Sequence, residues 1–149
     1  MSVVIRDAQE GDLEALGALF DQYRQFYELP PDILGASAYI TERYSTGTSV
    51  LLIAAEHGKL LGFVQMYPTW CSLLAAPIYV LYDLFVAEDG RRRGVGRELM
   101  LASARRAKDD GKRRLDLSTA KSNARAQGLY ESLGWERDND YFTYTYLVR

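Results

Sequence analysis

The chain of 149 residues is 48% hydrophobic and 26% charged and has a net charge of −2, which is the profile of an ordinary globular protein. This length suits one domain with a sizeable core, whereas two independent domains would be cramped. No apolar run approaches the ~20 residues of a membrane helix, and charges follow the first five residues, so we expect neither a membrane segment nor a signal peptide.

The N-terminal part of the chain is predicted to form one strand and two helices. Val3–Arg6 is a short strand candidate. Gly11–Tyr27 is predicted to be an amphipathic helix, because its apolar residues recur at three- and four-residue spacing: Leu13, Leu16, Phe20, Tyr23 and Tyr27. Pro30-Pro31 ends this helix and is expected to start a second one over Asp32–Tyr44, since proline is accommodated in a first helical turn.

The single histidine lies in a predicted hairpin. Val50–Glu56 and Leu60–Tyr67 have the pattern of two strands around a turn at His57-Gly58. With one histidine and one cysteine, Cys71, the chain can form neither an internal disulfide nor a Cys/His zinc site, and a Ser-His-Asp triad would need a turn histidine. We therefore expect no metal, no histidine base and no thiol nucleophile, and a cytoplasmic protein.

The second half of the chain alternates strands and helices. Trp70–Ala76 is expected to be a loop, because its apolar residues show no clear period. The elements that follow are the strand Ile78–Val86, the helix Gly94–Asp110 capped by Gly111, the strand Leu115–Ser118, the helix Ser122–Leu133 ended by Gly134, and the strand Tyr141–Val148. This order predicts a mixed α/β sheet with helices on its faces.

The most informative segment is the turn between the strand Ile78–Val86 and the next helix. At a helix start several backbone N–H groups lack intrahelical partners, so the site suits a pyrophosphate. Gly94 and Gly96 allow phosphate oxygens to approach the backbone closely. The third glycine of the dinucleotide fingerprint is replaced by Leu99, and the Gly-Lys-Ser/Thr of a Walker A loop is absent.

Basic residues cluster in and after this turn. Residues 91–114 contain ten Lys/Arg and three acidic residues, which gives this segment a charge of +7 and leaves −9 for the rest. A polyanionic ligand near the basic segment and a cationic ligand elsewhere would both fit. Nucleic acid is not expected as a partner, because the chain as a whole is acidic. Arg105, Arg106 and Lys108 are interpreted as the solvated face of a helix.

Two motifs in this part of the chain resemble the GNAT superfamily of N-acetyltransferases. The first is Arg/Gln-x-x-Gly-x-Gly after a strand, filled by Arg91, Gly94 and Gly96. The second follows on the next helix at the family's spacing, with Asn123-Ala124, Leu129-Tyr130 and Gly134-Trp135. The resemblance covers most of the chain and implies one acetyltransferase domain over residues 1–149.

The resemblance implies an α/β GNAT fold that binds acetyl-CoA. This fold has a mixed, mostly antiparallel sheet of about six to seven strands, splayed at the cofactor-binding strand and flanked by four helices. The implied cofactor-binding residues are Leu84, Phe85, Val86, Arg91, Arg92, Arg93, Gly94, Val95, Gly96, Arg97, Asn123, Ala126 and Tyr130. Arg92 stands where many members have glycine, and its backbone is expected to take a permitted conformation.

The resemblance also implies catalytic roles. The backbone N–H of Val86 would meet the acetyl carbonyl, where negative charge develops during acyl transfer. Tyr130 matches the family's tyrosine that points at the cofactor sulfur, and a phenol of pKa ~10 can donate a proton as a thiolate forms. On position alone Tyr130 is equally a core residue, and Asn123 is equally the N-terminal residue of a helix.

Asp83 is the residue that does not fit the apolar strand around it. A buried carboxylate must meet a cation, a donor or water. Asp83 therefore either pairs with a neighbouring arginine or receives the substrate ammonium, directly or through water, as a catalytic residue. The stretch Tyr82–Val86 is similar to Glu-Asp-Leu/Ile-Tyr-Val of polyamine acetyltransferases, but it lacks the glutamate.

Three residues near the end of the first helix are candidates for substrate binding. In proteins that this chain resembles, the first two helices line the acceptor groove. Tyr23 and Tyr27 lie one helical turn apart, which suits an aromatic wall for a cationic substrate and equally suits core packing. Glu28 follows them and is a candidate amine contact.

The predicted function is transfer of an acetyl group from acetyl-CoA to a primary amine by direct attack in a ternary complex. The acceptor would be a small cationic metabolite, polyamine- or amino-acid-like, or a peptide. The alternative is a module that senses acyl-CoA without turnover, but a sensor would not need Tyr130 as a proton donor. We expect no nucleic-acid or membrane partner, and the family implies a homodimer, with Tyr141–Val148 serving either the interface or the core.

Overall fold

The structure, a computed structural model, describes residues 2–148, which form two compact units that divide between Leu117 and Ser118. The first unit contains one five-stranded sheet whose strands follow chain order: β1 Val4–Asp7, β2 Val50–Glu56, β3 Lys59–Cys71, β4 Ala76–Val86 and β5 Leu115–Leu117. The first four strands pair antiparallel, whereas β5 pairs parallel to β4 after a helical crossover. The prediction of a mixed sheet is confirmed.

The helices of this unit begin and end close to the predicted positions: α1 Leu13–Phe26, α2 Ile33–Thr46 and α3 Val95–Asp109. The start of α2 lies one residue after the predicted Asp32. The Asp32 carboxylate caps this helix by accepting the N–H of Gly35 at 3.0 Å, so both prolines precede the helix. Gly111 follows α3 with φ +74°, as expected of a residue that closes a helix.

The helices pack on opposite faces of the sheet. Leu16 of α1 and Ile40 of α2 are fully buried in one cluster with Phe63 of β3. Side chains alternate between faces along a strand. On the other face, Leu99 of α3 packs where Gly62 has no side chain. The sheet is therefore covered by α1 and α2 on one side and by α3 on the other.

Strand β4 carries a β-bulge in its middle. Gln65 of β3 lies opposite Asp83, whereas Met66 lies opposite Leu81, so Tyr82 is an extra residue in the ladder. The parallel pairing with β5 covers residues 79–81 and ends at this bulge. In the described part of the chain, the second half of β4 thus pairs with β3 alone and has an open edge, which is the predicted splay.

The β3–β4 hairpin is longer than predicted. The loop expected over Trp70–Ala76 is wrong at both ends, because β3 continues to Cys71 and β4 begins at Ala76. Cys71 and Ala76 lie opposite each other, so the antiparallel pairing extends to the tip of the hairpin. An irregular apolar pattern does not reveal such pairing, since both faces of this tip are largely exposed.

The strand predicted over Tyr141–Val148 is absent from the described chain, and the sheet has five strands where about six to seven were expected. The alternating pattern of this segment is that of a strand. A strand also needs a neighbour to accept and donate its backbone hydrogen bonds. The described residues of this segment form no strand, and Tyr144 and Tyr146 are each 89% exposed.

The second unit contains α4, Ala124–Ser132. The Asn123 side chain caps this helix by accepting the N–H of Ala126 at 3.2 Å, and Gly134 follows it with φ +91°. The predicted helix is thus confirmed with slightly shorter bounds. Across residues 2–148 no helix has both the length and the apolar character of a membrane-spanning segment.

Candidate functional site

The open edge of β4 presents backbone donors. The N–H of Ala87 donates to the carbonyl of Leu61 at 2.8 Å, so residue 87 faces β3. Backbone groups of successive residues in an antiparallel strand point to opposite sides. The N–H groups of Val86 and Leu84 therefore point to the side where pairing with β5 has ended. This is the geometry that an oxyanion donor at Val86 requires.

The turn after β4 leads into α3 through two left-handed residues. A short 3₁₀ turn, Glu88–Gly90, is followed by Arg92 at φ +63° and by Gly94 at φ +76°. Gly94 is the N-cap of α3, and no side chain caps this helix start. The first N–H groups of α3 thus lack a capping oxygen and lie at the positive end of the helix dipole, so a phosphate fits there.

Two of the four arginines at this turn are tied to the protein. Arg91 Nε donates to the Val86 carbonyl at 3.0 Å, and the Arg91 guanidinium lies 5.7 Å from the centre of the Phe85 ring. Arg93 pairs with Glu56 at 2.5 Å, which lowers the pKa of Glu56 to about 2. These contacts hold the turn to β2 and β4.

The remaining residues of the turn divide into exposed and buried positions. Arg92 and Arg97 are exposed and can extend toward a phosphate. The side chain of Val95 is fully buried against the sheet, so only its backbone N–H can contact a cofactor. A cofactor at this turn would therefore meet backbone groups at Val86, Gly94 and Val95 and side-chain charge at Arg92 and Arg97.

The conformation of Arg92 predicts a gain in stability from glycine. A left-handed residue with a side chain costs about 1 kcal/mol relative to glycine, so Arg92→Gly should raise the free energy of unfolding by up to about 1 kcal/mol. Chemical denaturation measures this. Arg92→Ala removes the same charge and keeps the strain, and it should show no gain. Equal stability of the two variants would contradict a left-handed backbone at this position.

Asp83 lies on the α1 face of β4 and is 6% exposed. Gln65 Nε2 donates to Asp83 Oδ2 at 2.8 Å. The Tyr23 hydroxyl donates to the Tyr82 carbonyl at 3.4 Å and is also close enough to the Asp83 carboxylate to lower its pKa. Burial raises the pKa of Asp83, and the hydrogen bonds from Gln65 and Tyr23 oppose this rise. The partners of Asp83 are thus an amide and a phenol. The ion pair with a neighbouring arginine, which the sequence left open, does not form among the described residues.

Aromatic residues lie close to Asp83. The rings of Tyr23 and Tyr27 are 5.1 Å apart, and Tyr23 also packs edge-on against Phe85 at 6.0 Å. Tyr27 is 48% exposed, so this residue forms surface and not core. The ring of Tyr82 packs against Tyr67 at 5.4 Å, and Tyr82 is 66% exposed. Such a wall suits an organic cation.

The structure brings together some of the predicted substrate residues and adds others. Asp83, Tyr23 and Tyr27 form one cluster, whereas Glu28 lies in the exposed turn that ends α1, with φ +65°. Sequence reasoning missed Gln65, although it is a polar residue within the apolar strand Leu60–Tyr67, which is the signal that identified Asp83. Gln65 is fully buried.

The second unit carries the remaining predicted residues. Asn123 Oδ1 is used as the cap of α4, so any contact of Asn123 with a cofactor would come from its amide nitrogen. The N–H of Ala126 is the donor in that same bond. The Tyr130 ring lies 6.1 Å from the ring of Trp135, and its backbone carbonyl accepts the N–H of Trp135. The Leu-Tyr…Gly-Trp motif is thus a packed helix end.

Comparison with known proteins agrees with this geometry. The model of the acetyltransferase (GNAT) family matches residues 15–135. An uncharacterized N-acetyltransferase of Bacillus subtilis, YhfO, is 41% identical over 94% of both chains. An L-methionine sulfoximine/L-methionine sulfone acetyltransferase of Pseudomonas aeruginosa is 28% identical over 91% of this chain and 81% of its own. The crystal structure of a probable acetyltransferase superposes with a TM-score of 0.91 at 31% identity over 98% of both chains. The chain belongs to the GNAT family of acetyltransferases.

Proposed function

We propose that this acetyl-CoA-dependent N-acetyltransferase acts on the primary amine of a small cationic metabolite, polyamine- or amino-acid-like, or of a peptide. The observation that carries the proposal is the buried carboxylate of Asp83 beside partly exposed tyrosines. A carboxylate in an aromatic setting attracts an ammonium group both by charge and by the ring faces. No other predicted substrate residue combines burial with such surroundings.

The chain has a group for each requirement of acetyl transfer to an amine. Acetyl-CoA supplies the acetyl group as a thioester. The Val86 N–H donates where negative charge develops on the carbonyl oxygen. Asp83 takes the proton that the amine loses, directly or through water, and the Tyr130 hydroxyl gives a proton to the leaving sulfur. One N–C bond forms and one C–S bond breaks. The ammonium nitrogen loses two protons: one goes to Asp83 and then to solvent, and the other replaces the proton that Tyr130 gave to the sulfur.

The proposed role of Asp83 is to lower the free-energy cost of deprotonating the amine. An alkylamine has a pKa of ~10, so removing its proton at neutral pH costs ~4 kcal/mol. Because burial raises the pKa of Asp83, this carboxylate is a stronger base than an exposed one. The role of Tyr130 is supported by its motif alone.

An amino acid is one member of the proposed acceptor class. The Pseudomonas relative is named for L-methionine sulfoximine and L-methionine sulfone, both of which carry an α-amine. The proposal that the acceptor is a cation is supported by the charge distribution, because the chain outside residues 91–114 has a net charge of −9. Both classes present an ammonium group to Asp83.

The decisive experiment combines acetyl-CoA calorimetry with thiol release on a panel of amines. The panel contains spermidine, lysine, D- and L-amino acids, methionine sulfoximine, aminoglycosides and a histone-tail peptide. Release on one amine class identifies the acceptor. Cofactor binding with no release on any amine would favour an acyl-CoA sensor over the enzyme, and absence of binding would contradict the assignment of the turn.

We further propose a homodimer in which residues 141–148 pack on a second copy, in a protein that works in the cytoplasm. The segment exposes six large hydrophobic side chains and has the alternation of a strand: Tyr141, Phe142, Tyr144, Tyr146, Leu147 and Val148. Such a patch on a single chain is a typical interaction surface. The single cysteine suits a reducing compartment.

Truncation tests this dimer. Removal of residues 141–149 should convert a dimer into a monomer in sedimentation velocity, with the sheet of the first unit still folded by circular dichroism. A matched variant replaces Tyr144 and Tyr146, each 89% exposed, with serine and should weaken the dimer without shortening the chain. A full-length protein that sediments as a monomer at all concentrations would contradict the proposal.

A further inference from the structure

The amide of Gln65 connects Asp83 to a third side chain. Gln65 is fully buried, and both ends of its amide have partners: Nε2 donates to Asp83 Oδ2 at 2.8 Å, and Oε1 accepts from the Ser49 hydroxyl at 2.7 Å. Ser49 is half-buried and precedes β2. The chain of donors thus runs from Ser49 through Gln65 to Asp83.

This order of donors favours one protonation state of the carboxylate. A carboxamide has a donor end and an acceptor end, and a hydroxyl can donate to the acceptor end. With Ser49 donating to Oε1, the NH₂ group faces Asp83, and an NH₂ group pairs with a carboxylate that has no proton. A protonated Asp83 could still accept this hydrogen bond, but the bond is stronger when the acceptor is the charged carboxylate. The observed amide orientation therefore stabilises the charged form.

We propose that Gln65, oriented by Ser49, is a positioning residue that holds the Asp83 carboxylate in its ionised, proton-accepting form inside an apolar site. The inference rests on the proposed role of Asp83 and extends it to two residues that do not touch the substrate. Without this donor, burial alone would favour the protonated acid, which can accept neither an ammonium ion nor its proton.

The other groups around Asp83 come from all the elements packed on that face. The hydroxyl of Tyr23 on α1 lowers the pKa of Asp83, and the charge of Asp83 raises the pKa of Tyr67 on β3. From α2, the Tyr39 hydroxyl lies 2.5 Å from the Tyr67 hydroxyl, and Arg43 acts electrostatically on Tyr67. Burial and Tyr39 raise the pKa of Tyr67, so Tyr67 stays neutral where Asp83 titrates. Titration of Tyr67 therefore does not overlap with the titration of Asp83.

The test is the titration of the Asp83 carboxyl carbon by NMR, in the protein without substrate. Gln65→Met keeps the length of the side chain and removes the donor, and it should move the midpoint upward by about one pH unit or more. Ser49→Ala should move it in the same direction by less. The control Met66→Leu changes an equally buried neighbour on the same strand and should leave the midpoint in place. An unchanged midpoint in Gln65→Met would overturn the proposal.

Kinetics provide the second readout. The acidic limb of kcat/KM in Gln65→Met should move upward by the same amount as the NMR midpoint, while KM for acetyl-CoA stays constant. In an Asp83→Asn background, Gln65→Met should cause no further shift of that limb. Because the NMR titration needs no turnover, it decides the role of Gln65 even if no amine in the panel is acetylated. Failure of the proposed function is thus distinguished from failure of this inference.

Discussion

Replacing Tyr130 with phenylalanine is expected to lower kcat by about 100-fold while leaving KM for acetyl-CoA nearly unchanged, since general acid catalysis contributes about this factor. Phenylalanine keeps the ring that packs near Trp135, so the fold of the second unit should persist. The hydroxyl is lost, and with it the proton that the leaving sulfur would receive. Steady-state kinetics and single-turnover acetyl transfer measure the effect.

Tyr79 offers a matched control for this substitution. Its hydroxyl donates to Asp110 at 2.5 Å in the framework of the first unit, and burial together with Asp110 raises its pKa to about 12. Tyr79→Phe makes the same chemical change and should cost about 1 kcal/mol of stability with little change in kcat. If Tyr130→Phe lost no more kcat than Tyr79→Phe, the general-acid role would be excluded and the sensor reading would gain support.

Asp83→Asn is expected to reduce kcat/KM by about 100-fold or more at neutral pH, because the ammonium loses both its counter-charge and its proton acceptor. The defect should shrink as the pH approaches ~10, where the amine is neutral without help. Asparagine can still accept the Gln65 donor and can donate to the Tyr23 oxygen, so the cluster stays packed. A pH profile of kcat/KM for both proteins checks the prediction, and a defect that is constant with pH would contradict it.

The same substitution should stabilise the fold. Burial raises the pKa of Asp83, so as pH rises the unfolded chain releases this proton before the folded chain does. Stability is therefore lost as pH rises from the ordinary value of ~4 through the raised pKa. Asp83→Asn lacks this loss and should unfold at higher denaturant above that window. A gain of activity or a loss of stability would contradict our account of this carboxylate.

Asp12 provides a control in which the expected change in stability has the opposite sign, because its pKa is lowered whereas that of Asp83 is raised. Arg6 pairs with Asp12 at 2.7 Å, and this contact lowers the pKa of Asp12. Its contribution to stability is present above the unfolded pKa and is lost as pH falls through the folded value. Asp12→Asn should therefore destabilise the protein at neutral pH, whereas Asp83→Asn stabilises it. The two carboxylates show why an acidic side chain cannot be given a role from residue type alone.

The sequence predicted the elements well where periodicity or a glycine decides them. The helix α1 follows from its apolar stripe, and the end of α3 follows from Gly111, which has φ +74°. The turn into α3 was predicted from Gly94 and Gly96, whereas the contacts of Arg91 with β4 and of Arg93 with Glu56 were not predicted. These ties depend on which strands lie side by side, and a local pattern does not contain that information.

The cluster around Asp83 was only partly predictable for a related reason. Asp83 was recognised as a polar residue in an apolar strand, but its partner depends on register. Gln65 lies opposite Asp83 only because Tyr82 is an extra residue in β4. Similarly, the alternation over residues 141–148 indicates a strand but not the neighbour that a strand requires. A local sequence pattern indicates that a segment can form a strand, but the tertiary structure determines whether a neighbouring strand is there to pair with it.

The bulge at Tyr82 divides β4 into two parts that differ in how many neighbouring strands they pair with. Residues 79–81 are paired with a strand on each side, so substitutions there act on the framework. Residues 83–86 are held on one side only, and they carry both Asp83 on one face and the outward N–H of Val86 at the edge. If Asp83 binds the acceptor as we propose, substitutions over residues 83–86 can change the acceptor during evolution while residues 79–81 preserve the fold.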